Sequence, residues 1–449
     1  DSTIPVKLPF LGFISASLYA LTNSGHYASQ PVKDLMAGVK TSVYTGYRSQ
    51  ALDYWDPNFG QWLTNDIAQD SWSQQSIKGP HNEYMIAISV DDTDNLQGFG
   101  AGPDFPTVGN GLVEAGYVQP HLGWIILVTS PTQTSNSARG VTYSDTTVYS
   151  KQKLSSWLSS RYNGSIAALN AAWGSNYTTF GSAGGWGTGT GLLDEDGTCP
   201  ARGSSKCWVP TDPYNLTGAT SQMQSDLSAF LVVHAQNYFA TIKGILTAAA
   251  PGVLYAGPTS LGTWGTPPRR EILEAASQYV DLLEVATVPP LCTNCTDLQQ
   301  RVDFVTTYGG DKPWTSWEGF PANQDSFMSP YATSTDEFTT QAARGAAYQQ
   351  RVQQLLNAAD SSTGTHHLVG LQWWDLYDMR GEDTNWGMLT PRDDPYDGAS
   401  ATETTGADSW GYPTGCLSGY GCEQGNYGDF ITPVTQANIT ALRTVAEGK

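Results

Sequence analysis

Two segments bring a carboxylate and an indole together at the end of an apolar run. Lys312 to Phe320 (KPWTSWEGF) closes on Glu318, flanked by Trp317 and Phe320. Leu368 to Tyr377 (LVGLQWWDLY) closes on Trp373, Trp374 and Asp375. A third apolar run, Tyr84 to Val90, leads straight into Asp91, Asp92 and Asp94. Carboxylates at strand ends beside flat aromatic faces suit cleavage of a glycosidic bond. That reaction needs a proton for the leaving oxygen and a second carboxylate opposite it. The two stand about 5–5.5 Å apart in retaining enzymes and about 6.5–9.5 Å apart in inverting ones. The acid must stay protonated, through burial or a like-charged neighbour. The crowded aspartates supply such a neighbour.

Strand parity sorts the candidates, because successive side chains point to opposite faces. Ile86, Ile88 and Val90 form a helix-facing set, which leaves Ala87 and Ser89 inward. Strict alternation sends Asp91 inward too, but strands break their period at a rim, so Asp92 and Asp94 stay equally open. Ser316 shares the parity of Glu318, which aims the glutamate at a barrel mouth. Gly370, Gln372 and Trp374 form the inward set of the last strand. Glu284, in Asp281 to Ala286, is a third acidic candidate. Trp317, Trp373 and Trp374 adjoin these carboxylates and are read as sugar platforms, with Asp91, Glu284 and Asp375 as hydroxyl ligands. The six histidines show no ligand spacing, and GxSxG is absent. No metal and no cofactor are expected.

Strands at 10–16, 84–90, 253–257, 280–286, 313–317 and 368–374 alternate with helices at 150–160, 165–173, 221–249, 270–279 and 335–359. The helices carry apolar residues such as Phe230, Val233, Tyr238, Ile242 and Ile245 at helical spacing. Strands separated by helices pair in parallel, and the last four look like half of a (β/α)8 TIM barrel. Residues 1–392 are read as that barrel, with long inserted loops at 95–150 and 181–212. Residues 393–449 are read as an irregular, disulfide-stapled segment ending in a helix. The first half is short of strands. Either 124–129 is a barrel strand, or a companion segment N-terminal to Asp1 supplies the first two. Asp194, Glu195 and Asp196 lack EF-hand spacing and are expected to form a solvated acidic loop.

The formal charge of −20 across 449 residues disfavours nucleic acid and anionic membranes. No apolar run approaches a membrane span. Six cysteines fall in three close pairs, Cys199 with Cys207, Cys292 with Cys295 and Cys416 with Cys422, expected to be disulfides of an oxidising compartment. Sequons stand at Asn163, Asn176, Asn215, Asn294 and Asn438. With abundant Ser, Thr and Gly and scarce Lys, these features fit a secreted, extracellular, fungal glycoprotein.

Four stretches carry a family resemblance. Asp56 to Leu63 (DPNFGQWL) resembles an Asp-Pro-x-x-Pro-x-Phe helix. Leu158 to Gly174 (LSSRYNGSIAALNAAWG) resembles the segment Trp-Leu-x-x-Arg-Tyr-Gly-x-x-x-x-Leu-Asn-x-x-Trp-Gly. The strand to Glu318 and the run Gln372 to Asp375 resemble the nucleophile strand and the aromatic eighth strand. All belong to the retaining glycoside hydrolases of clan A, in particular the family 42 β-galactosidases and their relatives. The resemblance implies Glu318 as nucleophile and Asp92, or Asp94, as general acid/base. One departure stands out. The family ends its fourth strand in Asn-Glu, where this chain reads Asp92-Thr93. Sugar specificity is therefore not carried over, and the rival expectations are an inverting glycoside hydrolase and an inactive secreted carbohydrate-binding barrel.

Overall fold

The computed structural model describes residues 10–14, 43–45, 50–52, 54–69, 74, 77, 85–92, 134–136, 141–144, 149–185, 188–195, 220–259, 261, 269–286, 296–319, 338, 340–374, 387–388 and 430–447. In chain order these form β1 (Phe10–Ile14), β2 (Val43–Thr45), β3 (Gln50–Leu52), α1 (Asn58–Gln69), β4 (Met85–Asp92), β5 (Thr134–Asn136) and β6 (Val141–Ser144). Then follow α2 (Tyr149–Arg161), α3 (Ile166–Trp173), α4 (Ser221–Ala249), β7 (Leu254–Thr259), α5 (Arg270–Ala276) and β8 (Leu283–Ala286). The last are α6 (Thr296–Gly309), β9 (Trp314–Gly319), α7 (Gln341–Asn357), β10 (Leu368–Trp374) and α8 (Ile431–Ala446). The chain divides into two compact units, residues 1–285 with 304–313, and residues 286–303 with 314–449.

In the first unit β4 runs between β1 and β7, parallel to both. Parallel neighbours need long crossovers, and α4 is the main one between β4 and β7. Thr220 caps α4, its hydroxyl accepting from the Met223 amide. Phe230, Leu231, Ala235, Tyr238, Phe239, Ile242 and Leu246 make its buried stripe. Each large apolar side chain so buried contributes about 2 kcal/mol. This one face packs against α1, α2, α3, α5 and β7. α4 spans the range set by its apolar spacing. α5 stops three residues earlier than expected, at Ala276, and the chain turns at Ser277 to Tyr279.

In the second unit β9 and β10 pair in parallel. Helix α7 lies against β10 and α8. Their shared core is Phe338, Tyr348, Val352, Phe430, Val434 and Ala437, with Leu371 and Trp373 packed on it. Thr340 caps α7, so this helix starts later than the expected Thr335. Helix α6 was not anticipated from the sequence.

The architecture is mixed α/β with parallel strands. The expected closed (β/α)8 barrel is not formed by the described strands, which include the parallel sheet β1-β4-β7 and the parallel pair β9-β10, beside the antiparallel pairs β2-β3 and β5-β6. The strand expected at 124–129 lies outside the described residues.

Candidate active site

Small side chains floor the interior of the first unit. Ala87, Ala256 and Leu282 pack together with Leu11. One layer above Ala87 on β4, the buried Ser89 hydroxyl donates to the Glu284 carboxylate of β8. The Leu261 amide donates to the Glu284 carbonyl at 2.8 Å, and Leu261 bridges to Val285. Both sides of Glu284 are thus fixed, and its side chain is fully buried.

Alternation along β4 stops at Asp91. This residue has φ 72°, the left-handed region that few non-glycine residues occupy. Its buried carboxylate meets α4, where the Tyr238 hydroxyl donates to Oδ2 at 2.7 Å. The same hydroxyl lies 3.4 Å from the Val90 carbonyl oxygen. The Tyr54 ring stands edge-on to that of Tyr238 at 4.8 Å. Burial first, and then the Asp91 charge, push the Tyr54, Tyr238 and Tyr255 phenols well above their ordinary range. All three therefore keep their protons, and Tyr238 acts as donor. Sequence reasoning had placed Tyr238 only as an apolar helix position. Its ring fits that pattern, and a periodicity carries no sign of the hydroxyl's partner.

Behind Tyr54 lies His234, fully buried on the α4 stripe. Trp55 Nε1 donates to its Nδ1 at 3.0 Å, so the neutral ring carries its proton on Nε2. Burial lowers its pKa to about 4.

In the second unit the Gln372 amide donates to the Thr315 hydroxyl at 2.8 Å. A Cβ at Gly370 would lie 3.2 Å from Thr315 Cγ2. Thr315 therefore shares the face of Gln372, where the sequence pattern places Ser316. The backbone register pairs Trp317 with Gln372 and Glu318 with Trp373. Trp373 packs into the helix-side core, its ring 5.2 Å from Tyr348 and 5.5 Å from Phe430. The Arg344 guanidinium stands over it at 5.3 Å and donates to the Gly387 carbonyl at 2.8 Å. The side chains of Asp92, Trp317, Glu318 and Trp374, and the whole of Asp94 and Asp375, lie outside the described residues.

The segment carrying the family resemblance converges on one carboxylate. Asp226 of α4 is fully buried. It accepts from Arg161 Nε and Trp173 Nε1, each at 2.8 Å, from Gln222 Nε2 at 2.7 Å and from the Tyr162 hydroxyl. Burial and this carboxylate push the Tyr162 phenol up to about 12. Asn170 imitates backbone, donating to the Tyr177 carbonyl and accepting from the Tyr177 amide. Gly174, at φ 61°, ends α3. Of these motif residues, Arg161, Tyr162 and Trp173 hold α2, α3 and α4 together through Asp226.

The acidic loop reads differently from expectation. Asp194 and Glu195 are buried, not solvated. Asp194 accepts from the Ala183 amide at 2.7 Å, the Gly191 amide at 2.9 Å and the Ser182 hydroxyl. Glu195 accepts from the Tyr177 hydroxyl at 2.9 Å. The Gly-rich run gives these donors room to converge. Asp196 lies outside the described residues. No cluster of three or more His, Cys, Asp or Glu suited to a metal occurs among the described residues, and no described helix is long and apolar enough to cross a membrane. Asn163, Asn176 and Asn438 are exposed. Asn215, Asn294 and all six cysteines lie outside the described residues.

No protein-family model matches the chain. Among curated proteins it is similar to β-agarase A of Vibrio sp. (strain JT0107), 23% identical over 395 residues, or 84% of this chain. The chain spans about a third of that relative's length, 32%. Among solved structures it resembles an agarase with a TM-score of 0.55 and 16% identity, covering 86% of this chain and 42% of that one. An exo-β-agarase follows at 0.51 and 20% identity, covering 80% and 38%. The agarases therefore share this chain's fold.

Proposed function

We propose that the chain is a secreted glycoside hydrolase that cleaves a β-linked polysaccharide of the agarose kind by a retaining double displacement. The likeness to β-agarase A over 84% of the chain is the observation that carries this reading. The order of strand-end carboxylates supports it, with the family 42 resemblance behind the roles. Glu318 is the nucleophile. Its carboxylate attacks the anomeric carbon as the glycosidic C–O bond breaks, and the proton of Asp92 passes to the leaving oxygen. Water, losing a proton to the Asp92 carboxylate, then displaces Glu318 from the sugar. Asp94 is the alternative acid. Trp317 and Trp374 stack on sugar, and Asp375 binds hydroxyls. An oxidising compartment suits the three close cysteine pairs and the exposed sequons.

The test compares wild type with Glu318→Gln on agarose and on plant and fungal cell-wall glycans. Products are read by mass and anomer by NMR. Expected is retained configuration in the wild type and a loss of about 10³-fold or more in the variant, as removal of a covalent nucleophile produces. Equal activity in both sinks the mechanism, and an inverted first product assigns the inverting one. Thr93, where the family carries its acid, favours a second reading as a binding barrel without turnover. Saturable binding of these glycans with no product from the wild type would establish it.

A further inference from the structure

Asp91 is the one described residue of β4 with a positive φ, and it directly precedes the proposed acid. A left-handed non-glycine residue is strained and persists only where its surroundings hold it. Here the holder is visible. Tyr238 reaches from α4 to two consecutive residues of β4, to the Val90 carbonyl and to the Asp91 carboxylate. The ring is itself wedged, with Tyr54 at 4.8 Å and Phe239 at 5.1 Å. The titratable groups facing Asp91 among the described residues are Tyr54 ahead of α1, Tyr238 of α4 and Tyr255 of β7. Asp91 is fully buried among them, a poor place for a sugar hydroxyl ligand. β4 continues past the break, and Asp92 still pairs with Thr259 of β7.

We infer that Tyr238 and Asp91 form a positioning clamp. It holds the left-handed turn at the rim of β4 and so fixes the backbone from which Asp92 donates its proton. Neither residue touches the reacting atoms. The clamp acts through Asp92, and the inference rests on the reading of Asp92 as general acid.

A misplaced acid has a signature that general loosening of the fold lacks. Its loss matters for a poor leaving group, which needs the proton, and matters little for a dinitrophenolate, which does not. The experiment measures kcat/KM for wild type, Tyr238→Phe, Asp91→Ala, Asp91→Asn and Asp92→Asn. The substrates are aryl β-galactosides from dinitrophenyl to methylphenyl, with agarose alongside. General acid catalysis contributes about 10²–10⁴-fold. Tyr238→Phe and Asp91→Ala are therefore expected to lose about 10–100-fold on agarose and the methylphenyl glycoside, but within about 3-fold on the dinitrophenyl glycoside. Asp91→Asn recovers much of the loss, because Asn tolerates the left-handed region and keeps an oxygen to accept from Tyr238. Circular dichroism and thermal unfolding identify any variant that fails to fold, and the remaining one of Tyr238→Phe and Asp91→Ala then carries the test.

If Tyr238→Phe and Asp91→Ala lower all substrates equally while Asp92→Asn shows the leaving-group dependence, the clamp is overturned and the acid stands. If Asp92→Asn shows no such dependence, the reading of the acid fails and the clamp with it. A wild type that turns over none of these substrates overturns both.

Discussion

A single nitrogen decides how the first unit responds to acid. His234 Nδ1 already accepts from Trp55, and its Nε2 has no hydrogen-bond partner among the described residues. Protonating this ring puts a charge into a pocket bounded by Tyr54 and Phe230, whose ring centroids stand 6.2 Å away. It also breaks the bond from Trp55. The folded pKa of about 4 lies below the ordinary 6.5. The unfolded chain therefore binds the proton first as pH falls. Stability is intact above the unfolded value, declines through the window from 6.5 to 4, and is lost in full below the folded value. The linkage amounts to about 3 kcal/mol. Urea unfolding at pH 7 and pH 4.5 should show the decline in wild type, and His234→Gln should flatten it. A wild-type midpoint unchanged across this range would mean that the ring takes up its proton without penalty. The carboxylates have the opposite design. Asp226 collects four donors around its buried carboxylate. That is why an Arg-Tyr pair and a Trp twelve residues downstream belong to one sequence motif.

At the scale of elements, the loop from Gly181 to Glu195 is the clearest case of structure without regular hydrogen bonding. A Cβ on Gly189 would overlap Asp194 Oδ2, and one on Gly191 would overlap the Gly181 carbonyl oxygen. The glycines are there so that backbone amides can close on a buried carboxylate. Gly191→Ala should destabilise by about 1–3 kcal/mol, as other overpacked sites do, and open the loop to proteolysis. Limited thermolysin digestion, which can cut before Leu192 or Leu193, followed by mass spectrometry checks this, and an unchanged cleavage pattern would show that the loop gives way without cost. This loop marks the boundary of what the sequence made legible. Helix α4 was readable to the residue, because one apolar stripe at a 3.6-residue period is a strong local signal. The strands around β4, β7, β9 and β10 were readable within a few residues as short apolar runs of alternating face. Asp194 was not, since its donors come from amides up to eleven residues away, and a charged side chain in a Gly-rich run looks solvated. The break at Asp91 was half legible. Alternation was expected to fail at the rim, but its cause, a hydroxyl on α4, lies 147 residues away.

At the scale of the whole molecule, a charge of −20 bears on which polysaccharide the protein can approach. Like charges raise the cost of bringing a polyanion to the surface, and the field extends about 30 Å at 0.01 M salt but about 8 Å at 0.15 M. A neutral glycan feels none of this. Turnover of agarose should therefore change little as salt rises over that range, whereas turnover of a sulfated glycan of similar backbone should be weak at low salt and climb steeply. The increase should appear in KM rather than kcat, because repulsion acts on approach and not on a bound transition state. Initial rates on the two polymers across the salt series separate the cases. A sulfated glycan that is turned over best at low salt would mean that basic groups near the site outweigh the net charge, since a local field of the opposite sign is the only way for an acidic protein to draw in an anion. Such a result would move the proposed substrate from neutral agarose to its charged relatives while leaving the carboxylate chemistry at Glu318 as it stands.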